Sequence, residues 1–213
     1  MKKLALSIAL LGTSLFANAQ FSTGPKIGFG FANVKETGDG ASNDYEWNNS
    51  PTLGIDTKTR IAKRLSIQAA VQVTLLGYKI NKEGYKNTTY LGYAQLPVKL
   101  NLQFKLAPLL HIGIGAGPYV GYFISGGTQD NSVSRIKAKT TVDASDPSDE
   151  RYIMPWDYGL VAAPFVQIAF LHIAPTITYG LANTRPTYSE QSSSIQSRNL
   201  YYGLQVSFLF GGI

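Results

Sequence analysis

Two histidines, His111 and His172, are the first candidates for chemistry in this sequence, which contains no cysteine. The lack of cysteine excludes disulfides and thiolate metal sites. A protein zinc site needs three or four ligands, so two histidines alone do not define one. Each histidine also falls on the polar row of an alternating segment. A hydrogen-bonded structural role is therefore the simpler interpretation, and we predict no metal or cofactor.

Carboxylates are the second candidates. Asp56 and Asp157 could form a pair for acid–base catalysis, but Asp56 alternates with Lys58 and Arg60. A network of paired charges explains that arrangement more simply than a catalytic pair does. The acidic stretch DASDPSDE, residues 143–150, lacks the ligand order and central glycine of an EF-hand. It is predicted to be a solvated loop, with a weak cation site as the alternative.

Nucleotide and nucleic-acid binding find no support in the sequence. The glycine-rich stretch GIGAGPYVG, residues 113–121, does not satisfy the pattern G-x-G-x-x-G, and it leads into a strand pattern rather than a helix. The net charge is +6, but no run of lysine or arginine indicates a nucleic-acid partner. No Ser/His/Asp grouping is evident either. We therefore predict a protein without enzymatic activity.

The elements that must position these residues begin after an export signal. The first twenty residues, MKKLALSIALLGTSLFANAQ, combine two lysines, an apolar stretch and a small-x-small motif at Ala17–Ala19. The apolar stretch is too short for a spanning helix, which needs about 20 residues. Cleavage is predicted after Ala19, which makes Gln20 the new N-terminus. Residues 1–19 are then a signal peptide and residues 20–213 form one domain.

Eight segments of that domain alternate apolar and polar residues with the period of two that is typical of β-strands. In the stretch LPVKLNLQF, for example, Leu96, Val98 and Leu100 alternate with Pro97 and Lys99. The segments cover residues 22–34, 51–61, 65–78, 89–104, 109–124, 156–168, 171–181 and 198–210.

The connections between these segments alternate in length. Long connections are predicted at 35–50, 79–88, 125–155 and 182–197, and short ones at 62–64, 105–108 and 169–170. In an up-and-down meander this alternation collects the long loops at one end and the tight turns at the other. Outer-membrane barrels have this asymmetry. We therefore predict an all-β fold, an eight-stranded antiparallel up-and-down transmembrane β-barrel.

The composition of the polar rows decides which face is enclosed. A water-soluble barrel such as a lipocalin would carry many charges on its outer rows, whereas these rows consist mainly of Gly, Ser, Thr, Gln and Ala. Charged residues make up 15% of the chain, well below the ~25% typical of soluble domains. The apolar rows are predicted to face lipid. A few charged residues are then predicted to form a polar network in the lumen, because unpaired burial is costly: Lys26, Asp56, Lys58, Arg60, Lys99 and Asp157.

Aromatic residues are predicted to form two girdles at the membrane interfaces. The turn-end girdle would contain Phe104, Phe170, Phe208 and Phe210. The loop-end girdle would contain Tyr78, Tyr90, Tyr93, Tyr119, Tyr122, Trp156, Tyr158, Tyr179, Tyr201 and Tyr202.

Several stretches resemble the PorT-like outer-membrane β-barrel family of Bacteroidetes. They are YLGYAQLPVKLNLQF, LLHIGIGAGPYVGYFISGG, WDYGLVAAPFVQIAF, TYGLANT and RNLYYGLQVSFLFGG. The resemblance covers residues 21–213 and implies an eight-stranded barrel similar in shape to the OmpA and OmpX barrels. It implies no activity and no catalytic residue. The pattern Tyr201-x-Gly203-x-x-Val206-x-Phe208 resembles the C-terminal signal for the barrel-assembly machinery, although residues 209–213 follow it.

Three functions remain as hypotheses. The first is an outer-membrane scaffold, surrounded by lipid, that presents loops 35–50 and 125–155 to a protein partner. The second is a narrow pore or an accessory component of secretion, suggested by the charged lumen. The third is a lipid-modifying or proteolytic enzyme, for which Asp157 and His172 are the only candidates.

Overall fold

The computed structural model describes residues 21–41, 44–82, 85–129, 133–143, 151–188 and 195–211. The expected signal peptide with its cleavage site, Ala19 and Gln20, lies outside these residues. Most of the acidic stretch lies outside them too, namely residues 144–150. No helix within the described residues is long and apolar enough to cross a membrane.

Eight long strands form the fold. They are β1 (Phe21–Thr37), β2 (Asn48–Arg60), β3 (Leu65–Lys82), β4 (Tyr85–Ala107), β5 (Leu110–Gln129), β6 (Trp156–Ile168), β7 (Leu171–Gly180) and β8 (Gln196–Phe208). Each strand pairs antiparallel with the next, and β8 pairs with β1, so the sheet closes on itself. The predicted eight-stranded up-and-down barrel is confirmed.

The outer face of the barrel is apolar, as the alternation predicts. Strand β6 alternates without interruption, with outward Trp156, Tyr158 and Leu160 separated by buried Asp157 and Gly159. Elsewhere Leu53 and Val71 are 66% and 68% exposed. So large an apolar surface would be unfavourable in water, but it matches a hydrocarbon environment. Closure of the ring also lets the strands satisfy their backbone groups internally, as a bilayer requires.

The tight turns lie together at one end of the barrel, here named the turn end. They consist of residues 61–64, 108–109 and 169–170. In the last turn Ala169 has a positive φ of 51°, and its amide donates to the carbonyl of Leu109 over 2.8 Å. The start of β1 lies at this end as well, since Ser22 and Thr23 pair with Gly211 and Phe210.

At the opposite end, the loop end, the strands continue farther than the sequence suggests. Strands β3 and β4 remain paired up to Lys82 opposite Tyr85, so the predicted long loop at 79–88 is wrong. The prediction failed because this hairpin projects beyond the apolar band, where the outward residues are no longer apolar. With 23 and 20 residues, β4 and β5 far exceed the ~10 residues that span a membrane.

Short strands extend the sheet within the other long connections. Tyr45–Glu46 pairs with β3, and Val133–Ala138 pairs with β5. Arg151–Ile153 lies parallel to Val133–Ala138. Thr141–Val142 pairs with Thr187–Tyr188 as a separate two-stranded sheet. The connections 35–50, 125–155 and 182–197 therefore contain ordered structure that surrounds the loop end.

Three ladders of the described barrel wall, β3–β4, β4–β5 and β6–β7, are interrupted for two or three residues, and the β6–β7 seam has a proline on both of its strands. The β6–β7 ladder stops at Ala162 opposite Ile177 and resumes at Val166 opposite Ile173. Pro164 of β6 lies in this gap, and the same register places it opposite Pro175 of β7. Because proline has no N–H, it cannot donate to the ladder. On the lipid-facing side of the gap lies an apolar groove of 560 Å³.

Candidate functional site

The barrel interior is filled in layers, and the layer nearest the turn end, here the lower layer, is polar. Asp56 is its centre. Its Oδ2 accepts hydrogen bonds of 2.6 Å from Gln68 Nε2 and from Ser207 Oγ, and its Oδ1 accepts one of 3.1 Å from the Thr57 amide. Asn101 extends the network by donating to Gln68 Oε1 over 2.8 Å.

Three lysines are buried in the lower layer: Lys26, Lys58 and Lys99 are 2%, 6% and 4% exposed. The ammonium of Lys58 donates to Gln167 Oε1 over 2.7 Å and lies 4.8 Å from the centre of the Phe165 ring. Lys26 stands opposite Ser207 in the β1–β8 ladder. Lys99 stands opposite Gln68 in the β3–β4 ladder. Both lysines therefore flank residues that donate to Asp56.

Glycines of β5 leave room for this layer. A Cβ atom on Gly115 would overlap the side-chain oxygen of Asn101, and one on Gly113 would overlap the Phe165 ring. Both glycines lie on the enclosed row of β5, so their lack of a side chain makes room for Asn101 and Phe165.

The six charged residues predicted for the lumen do not form one group. Lys26, Asp56, Lys58 and Lys99 occupy the lower layer, whereas Arg60 is half-buried near the turn end. Asp157 is fully buried but belongs to the next layer. Asp56 and Asp157 have different hydrogen-bond partners, so the structure does not bring them together as a carboxylate pair.

The middle layer surrounds Asp157. Its Oδ2 accepts hydrogen bonds from the Tyr119 hydroxyl at 3.1 Å and from Asn199 Nδ2 at 3.0 Å. Beside it, Gln72 Nε2 donates to Gln95 Oε1 over 3.1 Å. The void between these groups measures only 10 Å³, which is about the space of one water molecule.

The upper layer is apolar and closes the barrel toward the loop end. Tyr93 and Phe123 pack edge to face with their ring centres 5.7 Å apart. A cluster of buried residues surrounds them: Ala32, Leu76, Leu91, Ile136, Ile153 and Tyr201. Ile136 and Ile153 come from the short strands of the third long connection, so this connection folds over the barrel mouth.

The prediction for the loop-end aromatic girdle was wrong for three residues. Tyr93, Tyr119 and Tyr201 are 0%, 4% and 3% exposed and lie inside the barrel. Tyr201 and Tyr202 are consecutive, so the alternation of a strand already prevented both from facing lipid. Tyr93 lies on the same row of β4 as buried Gln95 and Lys99, and Tyr119 lies on the same row of β5 as Gly115. Alternation therefore places both in the interior, whereas the girdle was assigned from position along the strand alone.

Above the upper layer the loop end contains a cavity of 380 Å³, here named the loop-end cavity. Its charged wall residues are Glu36, Arg151 and Arg185, and its aromatic wall residues are Tyr45, Tyr78 and Tyr152. The remaining lining consists of Val34, Thr89, Leu91, Thr128, Ile136, Ile153, Thr184, Pro186 and Ser197.

Several contacts organise the wall of the loop-end cavity. Arg185 Nη1 lies 4.0 Å from Glu36 Oε1, and Arg151 Nη1 donates a long hydrogen bond of 3.4 Å to Thr128 Oγ1. The rings of Tyr45 and Tyr78 meet edge to face at 4.7 Å. Burial, with a smaller contribution from a hydrogen bond to Glu36, raises the pKa of Tyr45 well above its ordinary value. Tyr45 therefore stays neutral at physiological pH.

The sequence predicted only part of the cavity. It singled out loops 35–50 and 125–155, which supply Glu36, Tyr45 and Arg151. It did not anticipate Tyr78 of β3 or Arg185 of the fourth connection. An arginine at a loop position is not in itself a signal of a site, so only the folded arrangement shows that these side chains converge.

The two histidines do not form a metal site with each other. His111 of β5 and His172 of β7 both stand opposite Gln167 of β6, so their backbones are two strands, roughly 10 Å, apart. His172 instead stacks on Phe165 with ring centres 4.7 Å apart. Across the described residues, no group of three or more His, Asp or Glu side chains is arranged to hold a metal ion.

A closed antiparallel ring with an apolar outer face and an enclosed polar one defines an integral outer-membrane β-barrel. The sequence agrees with this class: residues 16–185 match the family described as "Outer membrane protein beta-barrel domain". The chain belongs to this family, and its location is the outer membrane, where it is surrounded by lipid.

Three solved structures that match most of this chain share low sequence identity with it. Ail of Yersinia pestis is 11% identical, with 90% of this chain and 99% of that chain covered and a TM-score of 0.43. OprG of Pseudomonas aeruginosa is 11% identical, with 91% and 97% covered and a TM-score of 0.44. Neisserial surface protein A is 15% identical, with 88% and 99% covered and a TM-score of 0.39. A comparison with curated protein sequences gives no match.

Proposed function

We propose that this protein is a non-enzymatic, non-conducting barrel that holds a recognition site at its loop end. In outer-membrane barrels the short turns face the periplasm and the long loops face the outside. The loop-end cavity and the three long connections therefore face the cell exterior. Loops held on a rigid scaffold commonly carry function.

The filled interior is the observation that carries this proposal. Passage from one end to the other would have to cross the lower polar layer, the middle layer around Asp157 and the upper layer around Tyr93 and Phe123. The middle layer leaves a void of 10 Å³. Eight-stranded barrels in general have interiors just wide enough for side chains to fill.

Pairing of the loop-end strands supports a recognition role. The hairpin of β3 and β4 stays hydrogen-bonded to its tip, and Tyr45–Glu46 is paired against β3. Val133–Ala138 continues the sheet from β5. A surface held by backbone pairing loses less conformational entropy on binding than a free loop would.

The alternative function is a narrow pore or an accessory component of outer-membrane transport or secretion. The buried lysines of the lower layer favour it, since a charged lumen suits the passage of ions. In either case we propose export by a signal peptide cleaved after Ala19, and insertion through recognition of the C-terminal strand by the barrel-assembly machinery.

Planar-bilayer recording of the purified, folded protein tests the proposal. We expect no steady, reproducible open state, whereas a general porin reconstituted in the same way conducts. A double variant, Tyr93→Ala with Phe123→Ala, removes the two packed rings of the upper layer but leaves the middle and lower layers, so it should remain closed as well. Stable single-channel steps from the unmodified protein would refute the non-conducting scaffold and favour the pore.

A further inference from the structure

We infer that the loop-end cavity binds a small amphiphilic anion: a molecule with a carboxylate or phosphate head and a compact apolar or aromatic body. This inference rests on the recognition role proposed above and names the class of ligand. The volume of the cavity, 380 Å³, lies in the range of small-molecule sites, about 300–1,000 Å³. It suits a small ligand rather than the interior of a polymer.

The charge of the cavity wall favours an anion. Among the residues that the structure describes, two guanidinium groups, Arg151 and Arg185, line the cavity with one carboxylate, Glu36. Arg185 and Glu36 lie 4.0 Å apart, which is the outer limit of an ion pair. Arg185 therefore keeps N–H donors that a ligand can use. A positive excess in a concave, partly desolvated site attracts anions more strongly than it would in open water.

Arg151 has the geometry of an available anion donor. A guanidinium has five N–H donors, and Arg151 donates to Thr128 over a long 3.4 Å. A planar guanidinium can pair with a carboxylate or phosphate through two parallel hydrogen bonds, which are stronger than neutral ones. A ligand head between Arg151 and Arg185 would receive charge-assisted hydrogen bonds from both.

The floor of the cavity favours an apolar body on the same ligand. Leu91, Ile136 and Ile153 line the cavity and belong to the buried upper layer. Burial of apolar surface against them is favourable by about 25 cal/mol per Å². Tyr45 and Tyr78 form a braced aromatic wall through their edge-to-face contact at 4.7 Å, and such rings pack well against apolar or aromatic groups.

The experiment measures ligand binding to the protein in lipid nanodiscs by ¹⁹F NMR. The probe is 4-(trifluoromethyl)phenylacetate, and the charge control is 4-(trifluoromethyl)benzylamine. Empty nanodiscs correct for partitioning into lipid. 4-(Trifluoromethyl)benzyl phosphate, measured alongside, distinguishes a carboxylate head from a phosphate head. We expect saturable binding of one or both anions and no saturable binding of the amine.

Arginine variants connect binding to the cavity. Arg151→Gln and Arg185→Gln should each weaken anion binding by about tenfold, the effect of losing one charge-assisted hydrogen bond. Arg198→Gln is the matched control, because Arg198 lies at the same end, bonds to Gln196 and does not line the cavity. It should change the affinity less than about twofold, within the range of ordinary surface substitutions.

Folding of each variant is verified by its shift on unheated gels. Equal binding of acid and amine, no loss in either cavity variant, or no saturable binding of either anion by the folded protein would each overturn the inference. Such a result would leave the closed barrel untouched if bilayer recordings remain silent. A steady channel would instead refute the proposed function, whatever the binding result.

Discussion

At the scale of single residues, Asp56 is the group on which the lower layer depends. It is 1% exposed, and its negative charge interacts with Lys26, Lys58 and Lys99. Buried ammonium groups are costly unless an opposite charge and hydrogen bonds compensate them. Gln68 and Ser207 hold the carboxylate in place at 2.6 Å. One carboxylate therefore offsets several buried positive charges at once.

Replacement of Asp56 should destabilise the barrel strongly. We expect Asp56→Asn to lower the free energy of unfolding by roughly 3 kcal/mol, the lower end of the cost of breaking a buried charge pair, because asparagine keeps one acceptor oxygen. Urea titration in lipid vesicles, monitored by tryptophan fluorescence, measures this. Glu46→Gln removes an exposed carboxylate at the rim and should change the value by less than about 0.5 kcal/mol. Equal midpoints for the two variants would contradict this role of Asp56.

At the scale of elements, the interrupted β6–β7 seam has a local cause. Pro164 pairs with Ile114 of β5, and Pro175 pairs with Leu204 of β8. Without an N–H, a proline fits only the non-hydrogen-bonded kind of pair, so the backbone polar atoms of both prolines point to the seam between β6 and β7. The carbonyls of Pro164 and Pro175 then face each other across the seam, and neither residue has an N–H to donate. This seam therefore lacks two ladder hydrogen bonds at the Pro164–Pro175 position.

Restoring the two donors should close the seam. In the double variant Pro164→Val with Pro175→Val, we expect exchange of the seam amides of Val166 and Ile177 to slow by about tenfold, equivalent to roughly 1.4 kcal/mol of local stability. Hydrogen–deuterium exchange with mass spectrometry measures this, with peptides from β3 as the internal reference. Each single substitution adds one donor and should have a smaller effect. Unchanged exchange in the double variant would show that the prolines do not limit pairing.

At the scale of the whole molecule, one orientation decides the environment of every side chain. The rows that contain Leu53, Val71 and Leu100 face outward, and the rows that contain Gln68 and Asn101 are enclosed. If these outward rows were exposed to water, the protein would aggregate. In the outer membrane the same rows contact acyl chains, and the polar rows satisfy one another inside.

Spin labels should report this orientation directly, since the chain has no native cysteine. A nitroxide on Leu53→Cys, in the outward row of β2, should collide with dissolved oxygen and be shielded from a water-soluble nickel chelate. A nitroxide on Lys63→Cys, in an exposed tight turn, should show the reverse. Power-saturation EPR in lipid vesicles measures both labels. High nickel accessibility at position 53 would place the apolar rows in water.

The sequence by itself determined the ring of strands and the identity of the two faces. A β-strand directs successive side chains to opposite sides, so the alternation in Leu53–Asp56 or Leu96–Lys99 carries its meaning locally. The low charge of the polar rows then selected lipid over water as the outer environment. These inferences need no knowledge of how one strand is staggered against the next.

The tertiary structure decided what depends on height within the barrel and on contacts between distant segments. Alternation does not show that Asp56 and Asp157 occupy different layers, or that β3 and β4 continue past the membrane. Nor does it bring Arg151 and Arg185, from different connections, to one cavity. Strand stagger and the folding of the connections over the barrel mouth set these positions, and both arise from long-range pairing.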